Sequence, residues 1–80
     1  MKYEIKNFEN QDNQKLVGFK IIDDQGRLFY IDKRVGIDTN KAVEDYISEA
    51  LAMCQDEIQE WQDMFNIVGK QWNPNTNSFE

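Results

Sequence analysis

Eighty residues with 40% hydrophobic and 30% charged side chains describe one small globular domain. That composition excludes a multidomain chain and argues against a disordered one. The formal charge of −6 is held unevenly, since residues 1–41 carry eight basic and seven acidic side chains and residues 42–80 carry one and eight. An acidic balance of this kind repels nucleic acid and anionic membrane and favours basic proteins, so direct nucleic-acid binding is not expected.

Lys2–Phe8 alternates, with Tyr3 and Ile5 on one side and Lys2, Glu4 and Lys6 on the other, which predicts a half-buried strand. The polar run 9–14 predicts a connecting loop. A second strand is predicted over Leu16–Asp23, with Val17, Phe19 and Ile21 towards the core; Ile22 breaks its alternation and suggests a bulge or a partly covered outer face. Asp24-Gln25-Gly26 has the chemistry of a tight turn, with Gly26 at positive φ, and Leu28–Lys33 follows as a third strand. Short connections between three strands imply an antiparallel meander.

Asp38, Thr39 and Asn40 are all good N-cap residues, so a helix is predicted to begin there. Val43, Ile47, Ala50, Cys54, Ile58, Trp61, Phe65 and Val68 recur at spacings of three and four. At 100° per residue they fall within an arc of about 80°, which predicts one long amphipathic helix ending at Gly69. From 40 to 68 such a helix would run about 43 Å. Strands of seven residues span only about 24 Å, so the helix is expected to overhang the sheet. The fold class is therefore α+β: a three-stranded antiparallel β-meander with one long amphipathic α-helix packed on one face. Residues 1–70 form this single β-β-β-α domain. The irregular polar tail 71–80 follows, its Trp72 and Phe79 expected either to fold back as a cap or to dock on another chain.

Between Lys41 and Lys70 there are seven carboxylates and no basic residue. On a helical wheel Asp45, Glu49, Asp56, Glu60 and Asp63 lie within about 60° of one another, forming an anionic ridge on the outer side. Tyr46, Met53 and Met64 lie on the shoulder of the apolar stripe beside it, and large aromatic and flexible residues next to carboxylates are common at protein interfaces. The ridge suits a basic protein partner. Its plainer alternative is a solvated face that keeps a small protein dissolved.

Chemistry has little to stand on here. The chain has no His, its four glycines are isolated, and Cys54 sits in the middle of the apolar stripe. No spacing of acidic residues matches a metal-binding loop. The expectation is a non-enzymatic protein without a metal or cofactor. A single cysteine points to a reducing, cytoplasmic setting, and no stretch is long and apolar enough to span a bilayer.

Two segments, Glu57-Ile58-Gln59-Glu60-Trp61 and Val68-Gly69-Lys70-Gln71-Trp72-Asn73-Pro74, make the C-terminal half resemble short uncharacterised proteins of tailed bacteriophages and prophages. In architecture the expected meander and acidic helix are similar to small phage inhibitors such as anti-CRISPR proteins. These likenesses imply a phage-encoded inhibitor of a basic host nucleic-acid-handling protein, acting in the host cytoplasm. A homo-oligomeric assembly component, using the helix and tail as a symmetric contact, is the alternative.

Overall fold

The computed structural model describes all 80 residues. Three antiparallel strands, β1 (Lys2–Gln11), β2 (Gln14–Ile22) and β3 (Leu28–Gly36), form a meander in the order β1-β2-β3. One helix, α1 (Val43–Ile67), packs against it, giving the α+β architecture.

The strands are longer than their sequence pattern suggested. Residues 9–11 and 14, read as loop, pair across the first hairpin, leaving Asp12-Asn13 as the turn. Asp12 takes the left-handed conformation at φ 55°, which a short polar side chain tolerates. The second turn closes as its residues dictate, with Gly26 at φ 79° and its amide donating to the Asp23 carbonyl at 3.0 Å.

The register interruption falls in β1, between Ile5 and Asn7, rather than beside Ile22. Asn7 lies over Gly18, where an added Cβ would come within 2.9 Å of the Asn7 side-chain oxygen. The extra residue restores Phe8 to the face that holds Tyr3 and Ile5, because it absorbs one step of the alternation. Cross-strand pairing then builds three rows on the helix side: Tyr3, Ile21 and Phe29; Ile5, Phe19 and Ile31; Phe8, Val17 and Lys33.

Val17, Phe19 and Ile21 are fully buried in the middle of these rows and form the core with Val35 and the helix residues Tyr46, Ala50, Cys54, Ile58 and Trp61. Trp61 stacks on Phe29 with ring centroids 5.0 Å apart, and Phe65 meets Trp61 edge-on at 5.8 Å. The Arg27 guanidinium covers the outer face of Phe65, 3.6 Å from its centroid. Half-buried Ile31, Ile47 and Leu51 complete the packing.

Helix entry differs from expectation. None of Asp38, Thr39 and Asn40 caps the helix; Ala42 occupies that position and Asp45, three residues on, reaches back to accept the Ala42 amide at 2.9 Å. Asp38 instead organises the preceding turn, accepting the Asn40 amide through its side chain and the Lys41 amide through its carbonyl. Tyr46 fastens that turn to the core. Its hydroxyl donates to the Asp38 carbonyl at 2.8 Å and accepts the Asp38 amide at 3.0 Å. Tyr46→Phe is expected to lower stability by about 1–2 kcal/mol, since it strands a part-buried amide and carbonyl. An unchanged urea midpoint would show that water replaces the hydroxyl without cost.

At its far end the helix stops at Val68, with Gly69 at φ 96°. The 25 residues of α1 span about 37 Å. Nine-residue strands span about 30 Å, so the overhang is smaller than expected. Val43 and Val68, the ends of the predicted stripe, lie beyond the sheet and are exposed. The tail is not irregular: β4 (Trp72–Asn73) and β5 (Ser78–Phe79) pair as a small hairpin. Trp72 does not cap the core but packs edge-on against Phe79 at 5.1 Å, both rings half exposed. The hairpin helps to stretch the molecule to 56 × 26 × 17 Å. No helix is long and apolar enough to cross a membrane.

Candidate protein-binding surfaces

The outward side of α1 divides into neutralised and free carboxylates. Lys33 on β3 pairs with Glu57 at 2.6 Å, and Lys41 before the helix pairs with Glu49 at 2.6 Å. Both lysine pKa values are raised, chiefly by the hydrogen bond to the partner carboxylate and against a smaller opposing effect of burial. Asp45 is engaged at the helix start, and Asp63 accepts the Gln59 amide at 2.9 Å. Asp56 and Glu60 make no hydrogen bond or ion pair. The ridge is thus interrupted: Glu49 is spent on Lys41 and Asp45 on the helix cap, leaving its anionic potential concentrated over Asp56, Glu60 and Asp63.

The apolar shoulder also divides. Met53 and Met64 are exposed, at 49% and 60%. Tyr46 is not an exposed anchor; it is buried in the core under the 38–41 turn, and Lys41 and Lys15 lie over its ring at 5.2 and 5.3 Å. Its hydroxyl draws it inward towards the Asp38 backbone, a pull that helical spacing does not encode. Beside Met64 the stacked Phe29 and Trp61 floor a shallow hollow of about 350 Å³, rimmed by Glu57 and Glu60.

A second surface lies on β1. A helix is about 10–12 Å across and strands are about 4.8 Å apart, so one helix covers two strands and leaves a third bare. Here α1 lies over β2 and β3 and touches β1 where the Phe8 ring meets Tyr46 edge-on at 6.3 Å. Tyr3, Ile5 and Phe8 point to the helix side, in register with the buried row of β2, yet remain 46%, 41% and 36% exposed. Their outer edge has no strand beyond it. The opposite sheet face differs, because Glu4 stands across from Lys20 and Glu9 from Leu16 and Arg34, with Lys6 over the Tyr30 ring at 5.6 Å. It is a mixed, charge-balanced, solvated face.

Burial pushes the Cys54 thiol pKa up, the opposite of what activates a nucleophile. The most tightly held carboxylate, Asp23, accepts the backbone amides of Gln25 and Arg27 and the Arg27 side chain at a hairpin, where it serves the turn. No three His, Cys, Asp or Glu side chains converge as a metal site. Comparison with protein-family models, with curated proteins and with solved structures gave no match to this chain.

Proposed function

We propose that this protein is a small, non-enzymatic binding module for a basic protein, engaging it through the outer flank of α1. One observation carries the reading. The lysines within reach of the helix neutralise Glu57 and Glu49, while Asp56 and Glu60 stay unpaired beside exposed Met53 and Met64. Unpaired carboxylates speed encounter with a positive surface, and flexible apolar side chains next to them prolong the complex. A nucleic-acid-handling enzyme of a phage's host is the class of partner that offers such a surface, and occupying it would inhibit that enzyme.

Affinity capture from host lysate with Asp56→Lys/Glu60→Lys/Asp63→Lys beside the unaltered protein tests this. The expected result is a captured basic protein, eluted by salt and lost from the triple variant, whose far-UV circular dichroism stays unchanged. Equal capture by both proteins would remove the flank from the binding surface.

A further inference from the structure

The hollow beside Met64 is apolar at its floor and acidic at its rim. We propose that it seats one arginine side chain of the basic partner, an assignment that rests on the binding reading above and names its anchoring contact. Floor, rim and a precedent within the same chain all fit that occupant.

Phe29, Trp61 and Met64 supply the apolar lining. An arginine lays its methylene stem along such a surface and keeps its charged head at the edge. At about 350 Å³ the hollow is at the small end of the roughly 300–1,000 Å³ typical of ligand sites, a size for one side chain.

The rim selects charge. Glu57 and Glu60 are three positions apart on α1 and therefore neighbours. Glu57 holds Lys33 through Oε1, at 2.6 Å, which leaves its Oε2 as an acceptor. Glu60 is unpaired, with Asp56 and Asp63 about one turn away on either side. No cation of this chain lines the hollow. A guanidinium carries five donors in a planar fork and can bridge both glutamates at once, whereas a lysine ammonium is a single point charge.

The precedent lies one ring along the helix. Arg27 sits 3.6 Å from the Phe65 centroid while its Nε donates to the Asp23 carboxylate. Phe65 in turn meets Trp61, which stacks on Phe29 at 5.0 Å. That stacked pair also has carboxylates beside it, but none of the chain's own cations lies over either ring. The chain thus already uses an aromatic ring and a carboxylate to hold one arginine, and it presents the same pair of groups again, open to solvent.

Nitrogen-15 NMR titration of the full chain with acetyl-Gly-Arg-Gly-amide tests the proposal, beside the same peptide carrying lysine or uncharged citrulline. The expected result is a saturable shift of the Trp61 indole N–H and of the Glu60 and Met64 amides with the arginine peptide. Lysine is expected to bind several-fold more weakly, and citrulline to give no saturable shift. Glu60→Gln, at an exposed position, is expected to weaken the arginine peptide about fivefold with the far-UV spectrum retained. Equal binding of arginine and lysine would overturn the proposal. So would an unchanged affinity in Glu60→Gln, or shifts confined to Asp56 and Asp63 with the Trp61 signal unmoved. Each of these leaves the lysate capture unaffected, so failure here is distinct from failure of the basic-partner reading.

Discussion

Phe19→Ala is expected to lower stability by about 3–5 kcal/mol, the usual cost of removing a buried aromatic ring. Phe19 is 1% exposed at the centre of β2, flanked in its row by Ile5 and Ile31. A domain of this size has only about 4–12 kcal/mol of stability, and this one has 11 buried residues to hold it. No neighbouring part of the core can collapse into the space, because β2 is held on both sides by hydrogen-bonded strands. Urea unfolding followed by tryptophan fluorescence should show a large fall in the midpoint, or no cooperative transition. Leu28→Ala, at a position 47% exposed, serves as the comparison and should shift the midpoint far less. Similar effects at both positions would mean that the helix does not bury β2 as described.

The second large effect is expected at the β2–β3 turn, where one carboxylate does the work of several backbone groups. Asp23 is 8% exposed and accepts the amides of Gln25 and Arg27 at 2.9 and 2.8 Å, together with the Arg27 side chain. Burial alone would raise its pKa. The hydrogen bonds from Arg27 and Gln25 outweigh burial and hold it below the usual carboxylate value. Asp23→Asn keeps an acceptor but loses the charge, so the variant should unfold at clearly lower urea at neutral pH.

The pH dependence follows from the direction of the shift. With the folded-state pKa below that of the unfolded chain, the stabilisation is complete above about pH 4 and fades as pH falls through that value towards the folded-state pKa. The gap between the unaltered protein and Asp23→Asn should therefore narrow between neutral pH and about pH 3. A gap that stays constant across that range would assign the effect to hydrogen-bond geometry and not to charge. Loosening this turn also frees Arg27 from its place over Phe65, so the helix end should become more mobile with it.

Much of the architecture was legible in the chain. Alternation in Val17, Phe19 and Ile21 reported a buried strand, because a sheet with one covered face demands a period of two. The three-and-four spacing from Ile47 to Phe65 reported the helix and its inner side correctly. Gly26 and Gly69 marked the turn and the helix end through the positive φ that both adopt.

The candidate surfaces were less legible. Helical spacing put Glu49 on the outer ridge, but it could not show that Lys41 would reach it or that Lys33 would pair with Glu57, since those lysines arrive from other elements. The same limit hid Tyr46, whose burial depends on a turn eight residues earlier. Tyr3 and Ile5 carry the alternation of core residues and do face the helix side, whereas strict alternation puts Phe8 on the opposite face and only the bulge between Ile5 and Asn7 turns it inward.

Local sequence alone settled the apolar sides of β2 and of the helix, the turn at Gly26 and that acidity collects on the helix, because each depends on residues a few positions apart. Only the tertiary arrangement decided which apolar sides are actually covered and which carboxylates remain unpaired. One helix is too narrow for three strands, and where it settles is set by contacts between residues distant in the chain.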